Sequence, residues 1–438
     1  MNFVLIDYQP PGSQINRDQT GTYGSFFKSE GCLGTLLSSL KAGGIKLPVL
    51  SFSYAASILR AHGHKVNIVN QLPAEGGDVA VFATVLYHWK EDHVFLEEYK
   101  KRFPKTRLGV LGAVNQALPE LFRDVCDFNI GGDVESALFA FLEGRWNWQG
   151  YFDGTQPLDL SRVPLPDWDG FPIANYSYRP ALARKNFLTI QTSRGCAFGC
   201  DFCPYMVTQG RQMRFRPLEA VEAEVRLLTK KYGVRSVFFR DILFTANRQR
   251  TVELCDRLIH MGTPIEWACE TNLEGLDAEL IDKMHKAGMR VINLGIESGD
   301  PEVLRRFGKR GSDSSQLCET IQNLHKRNIR VQAFYILGLW DDTPESMRKT
   351  IALSHKINTF SAQYCVATPF PGTRFFEKKK EFLLHRDWSK YTEYEPVLRL
   401  PFASAAEVIH CRNRAYNSYY IRPQWWMRYG YTVIKQFI

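Results

Sequence analysis

Cys196, Cys200 and Cys203 stand in the order Cys-x3-Cys-x2-Cys inside Ser193-Arg194-Gly195-Cys196-Ala197-Phe198-Gly199-Cys200-Asp201-Phe202-Cys203. Three thiolates on one short loop make an incomplete collar. Four would close a structural zinc site or an electron-transfer cluster, whereas three can hold a cubane [4Fe-4S] cluster and leave one iron open to a further ligand. An open iron is a reactive site. A zinc reading would need a histidine at ligand spacing around the triad, and the sequence has none there. The other cysteines, Cys32, Cys126, Cys255, Cys269, Cys318, Cys365 and Cys411, show no pairing pattern and read mostly as buried hydrophobes.

The elements that must position the triad are legible downstream of it. Short apolar runs alternate with amphipathic stretches, the pattern of repeated strand-helix units and a parallel sheet. Strands are expected at Phe187 to Thr192, Ser236 to Arg240, Ile265 to Glu270, Val291 to Ile296, Val331 to Leu337 and Gln363 to Ala367. Helices are expected at Pro217 to Tyr232, Arg248 to His260, Ala278 to Lys286, Ser314 to Arg327 and Pro344 to Lys356. Pro217 and Pro344 suit first helical turns, and Gly233 and Gly288 suit the positions just past helix ends. Such a run of units forms a partial barrel, smaller than the closed eight-fold one.

Residues 1–150 repeat the alternation more weakly. Strands are expected at Phe3 to Ile6, Lys65 to Val69, Ala80 to Thr84, Arg107 to Leu111 and Phe128 to Ile130. The intervening helices fall at Val49 to Ala61, Asp92 to Arg102, Leu118 to Val125 and Val134 to Leu142. The fold class is therefore α/β: a doubly wound Rossmann-like domain, which takes its ligand at the strands' carboxyl ends, then a linker over 151–182. The barrel core follows over 183–385 and a small helical extension over 386–438.

A chain of 438 residues is comfortable for two domains, and 45% hydrophobic with 23% charged residues is globular. No apolar run approaches a membrane span, and Met1 to Asp7 lacks the basic start and cleavage site of a secretory signal, so a cytoplasmic location is expected. A reducing compartment also keeps thiolates available for iron. The net charge of +9 is spread along the chain with no long basic tail, which argues against nucleic acid as a partner. Tyr416 to Ile438 interleaves Tyr419, Tyr420, Trp425, Trp426, Tyr429 and Tyr431 with Arg422, Arg428 and Lys435. That composition suits peripheral contact with a membrane, or a C-terminal helix packed on the barrel.

The cysteine loop, with aromatic Phe202 just before the third cysteine, resembles the cluster loop of the radical S-adenosylmethionine (SAM) enzymes. The resemblance implies that Cys196, Cys200 and Cys203 ligate a [4Fe-4S] cluster whose open iron chelates SAM. It also implies an external electron donor such as flavodoxin or ferredoxin, and a radical that takes hydrogen from an unactivated carbon of a small-molecule substrate. Gly295-Ile296-Glu297-Ser298-Gly299 resembles the family motif after the fourth strand: Gly295 admits the cofactor, Glu297 accepts hydrogen bonds from it, and Ser298 lies at the cofactor or caps the turn. Glu270, in Glu270-Thr271-Asn272, resembles a ribose-hydroxyl ligand, with Asn272 where other members carry arginine. Arg240, Asp241 and Gln332 face cofactor or substrate, or else anchor loops. Arg211, Arg214 and Arg216 either neutralise the cluster and SAM carboxylate or form a solvated basic stretch. Gly338 to Pro344 and Thr368 to Thr373 resemble family turns and read as turn chemistry first.

The first domain resembles the B12-binding domain that precedes many radical SAM cores. The match rests on Leu47-Pro48, the Ala-x-x-Leu-Arg-x-x-Gly-His-x-Val run from Ala56 to Val66, Gly112 after its strand, and Gly131-Gly132-Asp133-Val134-Glu135 opening a helix. It implies a cobalamin cofactor near Gly112, Gly131, Gly132 and Glu135. The Asp-x-His-x-x-Gly element that would supply a lower cobalt ligand is absent, so a bound cobalamin is expected to lack a protein imidazole beneath it. Tyr87-His88-Trp89 puts bulk at a strand end, and the loop from Pro10 to Lys46 is placed to cover the site. The leading expectation is cobalamin-dependent methyl transfer. A cobalamin-free dehydratase or oxidative cyclase, and a non-enzymatic iron-sulfur regulator, stand as alternatives.

Overall fold

A computed structural model describes residues 1–10, 15–17, 44–184, 186–309 and 314–435. The loop expected to cover the cofactor, Pro10 to Lys46, lies largely outside the described residues. The first sheet contains β1 (Asn2–Ile6), β2 (Lys65–Val69), β3 (Val79–Ala83), β4 (Arg107–Leu111), β5 (Phe128–Gly132) and β6 (Gly150–Gly154), all parallel, in the order β2-β1-β3-β4-β5-β6. The order reverses between β1 and β3, so the crevice at their carboxyl ends is a topological switch point. β3 reads Val-Ala-Val-Phe-Ala and is buried throughout, as a central strand covered on both faces must be.

Two local expectations fail here. β6 went unseen because Tyr151-Phe152-Asp153 between two glycines has no apolar alternation, yet it pairs with all of β5 and carries the domain to Gly154. The helix expected over Leu118 to Val125 is replaced by a helix at Ala113–Ala117 and a 3-10 turn at Pro119–Phe122. Pro119 has no N–H to donate and crowds the preceding turn, so it ends the helix Ala113–Ala117 and stands at the start of the 3-10 turn.

The second sheet contains β7 (Phe187–Ile190), β8 (Ser236–Phe239), β9 (Glu266–Thr271), β10 (Met289–Glu297), β11 (Arg330–Leu337) and β12 (Ser361–Val366), parallel and in consecutive order. Helices Leu218–Lys231, Arg248–Met261, Ala278–Lys286, Ser314–Lys326 and Pro344–Ile357 return the chain between them. Their ends are written locally. Asn247 and Asp277 accept backbone N–H bonds as N-caps, Thr343 and Ser346 form a reciprocal capping box, and Gly262 takes a left-handed φ of 61° just past its helix. β7 and β12 do not pair, so the barrel is open.

The open edge of β12 is covered by the helix Ala405–Tyr420. The Tyr420 hydroxyl accepts the Ala362 N–H (3.1 Å) and donates to the Ala362 carbonyl (3.1 Å), while Tyr416 does the same at Tyr364 (3.0 and 3.4 Å). Four residues of helix rise about 6 Å and two residues of strand about 6.6 Å, so the two tyrosines keep register with alternate strand residues and stand in for a missing strand. Tyr416 to Tyr420, where the C-terminal aromatic segment begins, are thus packed on the barrel. Beneath the barrel, Tyr178 of the linker strand Ser177–Tyr178 accepts hydrogen bonds from Asn293 Nδ2 (2.9 Å) and Gln332 Nε2 (2.7 Å).

Candidate active site

The triad sits on the loop after β7, and the loop is anchored before it begins. Buried Asp241, just past β8, accepts the Thr192 N–H (2.6 Å) and the hydroxyls of Thr192 and Ser193. Ser193–Arg194 then pairs antiparallel with Arg214–Phe215, closing the loop as a short ribbon. Gly195 turns it with φ +89°, and a β-carbon there would lie 2.1 Å from the Gln212 carbonyl oxygen, so only glycine fits. On the far side, Asp201 N–H reaches the Phe307 carbonyl (3.4 Å), and its own carbonyl accepts the Phe375 N–H (2.9 Å). Phe202 packs near Phe307, ring centroids 6.3 Å apart.

Cys196, Cys200 and Cys203 all line one cavity of about 730 Å³ at the carboxyl ends of the barrel strands. Backbone amides of Phe198 and Tyr205 face the sulfurs of Cys196 and Cys203, the donors a thiolate ligand uses. Among the described residues no three His, Cys, Asp or Glu side chains converge on a single metal ion. Three thiols on one cavity are the donor set of a cubane cluster with one iron left open. Without a metal, burial pushes all three thiols up, Cys203 to about 12; iron is what would hold them as thiolates.

The structure brings Glu270, Gly295, Glu297, Ser298 and Gln332 to the same cavity, but most of their polar atoms have partners within the chain. Arg240 on the neighbouring strand pairs with Glu270. Lys309 pairs with Glu297 (2.7 Å) and also reaches the Gly295 carbonyl (2.7 Å). Ser298 accepts the Asp300 N–H (3.1 Å) and lies 3.3 Å from Thr350 Oγ1, so it serves the turn. Gln332 is engaged by Tyr178, Asn293 and Ser361, in the barrel floor. Of the strand-end pair Arg240-Asp241, the first faces the cavity and the second is a loop anchor.

Three residues of the cavity escaped sequence reasoning. Lys309 supplies a positive charge beside Cys196 and Cys200. Cys365, on β12, faces the cavity rather than the core. Glu393 comes from the C-terminal extension and is met by the Cys365 thiol (3.8 Å). Burial, with Glu297 adding to it and Cys365 opposing, pushes the Glu393 carboxyl up to about 7. Both Glu297 and Glu393 have left-handed φ, 64° and 65°, a strained backbone for glutamate. Lys309 and Glu393 sit in no periodic run, so nothing local marks them, and the alternation of β12 is the one signal that turns Cys365 away from the core.

The first domain meets the cluster loop through charge. Arg194 donates to Asp133 (2.8 Å) and, bidentately, to Glu135 (2.6 and 3.1 Å), and Arg214 holds the other Asp133 oxygen. Arg216 pairs with Glu224 and donates to Tyr54 (3.0 Å). Arg214 and Arg216 thus join the domains, and Arg211 is exposed. The expectation that Glu135 and the Gly131-Gly132 pair face a cofactor meets a different geometry. Glu135 is engaged by Arg194, the Tyr151 hydroxyl lies 2.2 Å from where a Gly131 β-carbon would be, and the Gly154 carbonyl 2.1 Å from a Gly132 one. Those glycines make room for β6. The ends of β3 and β4 are also buried, the Ala83 carbonyl accepting from Arg17 (2.8 Å). Gly112 has φ 130°, and buried Asn115, held to Thr84 through its Nδ2 (3.0 Å), leaves Oδ1 without a partner among the described residues, free to accept from a peripheral amide. His62 and His64 lie at the amino ends of the strands, His62 on the Ile58 carbonyl and His64 beside the terminal amine, away from that crevice.

Residues 190–353 match the sequence model of the Radical SAM superfamily. The chain is 30% identical over 268 residues to the uncharacterized methyltransferase PH0819 of Pyrococcus horikoshii, covering 61% of this chain and 57% of that protein. It is 27% identical over 344 residues to the anaerobic magnesium-protoporphyrin IX monomethyl ester cyclase of Cereibacter sphaeroides, covering 72% and 55%. The chain thus spans a little over half the length of these relatives. The structure of the radical SAM methyltransferase TsrM from Kitasatospora setae, with cobalamin and a [4Fe-4S] cluster bound, superposes with a TM-score of 0.66 at 14% identity over 98% of this chain and 90% of that one, a shared fold across both domains. The domain built around Cys196, Cys200 and Cys203 belongs to the radical SAM superfamily.

Proposed function

We propose that this protein binds a [4Fe-4S] cluster through Cys196, Cys200 and Cys203, cleaves SAM reductively in the barrel cavity, and transfers a methyl group to an unactivated carbon of a small molecule with the help of cobalamin held by the first domain. The observation that carries the reading is the placement of all three cysteines on one cavity with Glu270 and Glu297 at the strand ends. When bound, the cluster and SAM supply the radical chemistry. The chain's own part is to fix them: Asp241, Gly195 and Arg194 hold the loop, Lys309 offsets anionic charge beside two of the thiolates, and the apolar cavity wall keeps water from a radical. Gly112 and the unpartnered Asn115 Oδ1, beside the switch-point crevice, support a corrin there, and the likeness to TsrM supports the cofactor. The protein works in the cytoplasm, receiving electrons from a carrier such as flavodoxin or ferredoxin.

Purified anaerobically, reconstituted with iron and sulfide and offered hydroxocobalamin, the protein retains cobalamin through gel filtration, and its spectrum is unchanged by His62→Ala or His64→Ala. Cobalt-free protein that still cleaves SAM would replace methyl transfer with the oxidative cyclase or dehydratase reading, which the magnesium-protoporphyrin cyclase relative favours.

A further inference from the structure

Among the described residues, five of the thirteen large apolar side chains that remain exposed cluster at one helix, and the other eight are scattered. Ile421, Trp426, Met427, Tyr431 and Ile434 are 65%, 46%, 80%, 76% and 51% exposed, and all belong to or abut the helix Pro423–Ile434. The helix is held by its other face. Trp425 donates to the Phe360 carbonyl (3.1 Å), Tyr429 to the Asn358 carbonyl (3.1 Å), and Arg428 to the His325 carbonyl (3.1 Å). Met427, Tyr431 and Ile434, spaced i, i+4, i+7, therefore form one outward stripe that no described residue covers. Lys435 lies over the Tyr431 ring at 5.8 Å, and Arg414 and Arg428 are exposed nearby in sequence. From Val408 to Ile438 the sequence contains no aspartate or glutamate.

We propose that this helix is an interfacial anchor that docks the protein on an anionic lipid surface. An amphipathic helix whose apolar stripe carries Trp, Tyr, Met and Ile, flanked by cations and without any anion, has the composition that seats at the headgroup boundary. A second copy fits less well: a two-fold contact on this stripe would set Arg428 and Lys435 against their own mates with no acid to offset them. The anchor's position fixes the orientation. Phe360, Asn358 and His325 all lie at the amino ends of barrel strands, opposite the cluster loop, so docking leaves the cluster side facing water and open to a soluble electron carrier. The anchor recruits the enzyme to the membrane and does not roof the cavity.

The test is flotation of the reconstituted full-length protein with vesicles of phosphatidylcholine mixed with phosphatidylglycerol, against vesicles of phosphatidylcholine alone. The variant is Met427→Ser/Tyr431→Ser, which spares Trp426, whose indole donates to the Tyr420 carbonyl (2.8 Å). Binding to the anionic vesicles is expected, weakened at least about tenfold in the variant because it removes two large apolar groups from the seated face. Raising salt from about 0.1 M to about 1 M weakens it further. Sedimentation velocity of the same samples reports self-association. No binding to anionic vesicles, binding that the variant leaves unchanged, or a wild-type dimer that the variant dissolves would each overturn the proposal, the last by making the stripe a contact between copies. Because flotation reads neither SAM cleavage nor cobalamin, its failure is distinct from failure of the methyl-transfer reading.

Discussion

Replacing Arg194 with methionine removes the guanidinium that joins the cluster loop to the first domain while keeping an unbranched apolar side chain. Arg194 and Asp133 are each 8% exposed and Glu135 is 1% exposed, so the hydrogen bonds between them lie out of water. In the variant, Arg214 still holds Asp133, but neither Glu135 oxygen has its cation. Removing one partner of a buried pair costs about 3–5 kcal/mol, mostly because the remaining charge is left desolvated. Glu135→Gln should cost less, about 1–3 kcal/mol, since Arg194 keeps Asp133. The double variant Arg194→Met/Glu135→Gln should then be less destabilised than the sum of the singles, because the orphaned carboxylate is gone. Urea unfolding of the apoprotein, followed by tryptophan fluorescence, should show a fall of about 1 M or more in midpoint for Arg194→Met. Iron bound after reconstitution should fall with it, since the loop is untethered at residue 194. A midpoint and iron content equal to wild type would refute the claim that this network holds the loop, and strict additivity in the cycle would refute its coupling.

Other outcomes follow from the same geometry. Burial raises the Glu393 carboxyl to about 7, so the folded state binds its proton more tightly than the unfolded state does. Its contribution to stability is therefore present at low pH and lost as pH rises from the ordinary carboxylate range through about 7; Glu393→Gln should abolish that decline, seen as a flatter plot of unfolding midpoint against pH, and an identical slope would show that the carboxyl is already ionised in the fold. Tyr416→Phe and Tyr420→Phe each strip the β12 edge of an N–H acceptor and should each destabilise the protein by about 1–2 kcal/mol in denaturant titrations, with faster amide exchange at Tyr364 or Ala362. Protection unchanged at those amides would mean the edge is covered without the hydroxyls.

Much of the scaffold was readable because its signals are local. The helix Ala278–Lys286 carries its own N-cap at Asp277 and an apolar face at Leu280, Ile281 and Met284, and the structure places it where the periodicity does. The triad was readable for the same reason, since a cluster loop concentrates its ligands in eight consecutive residues, 196–203. Strand β6 was not, because its pairing with β5 is made by backbone and its sequence has no alternation. The partners of the site residues were hidden for a different reason. Glu135 reads as a helix-start carboxylate until Arg194, 59 residues on, is seen to take it. Glu393 enters a cavity built by strands that end before it, and nothing in Thr392-Glu393-Tyr394 announces that. Residue types reveal which chemistry is available; which groups are free to perform it depends on contacts between distant segments.

The most direct test of the central claim is formation of 5'-deoxyadenosine by anaerobically reconstituted, dithionite-reduced protein supplied with SAM. The wild type and Cys255→Ala, whose thiol is buried in the helix-packed side of the barrel, should both produce it. Cys196→Ala, Cys200→Ala and Cys203→Ala should each produce none, because each removes one of the cluster's three thiolate ligands. Undiminished 5'-deoxyadenosine in any one of those three variants would contradict the assignment of the cluster to this loop.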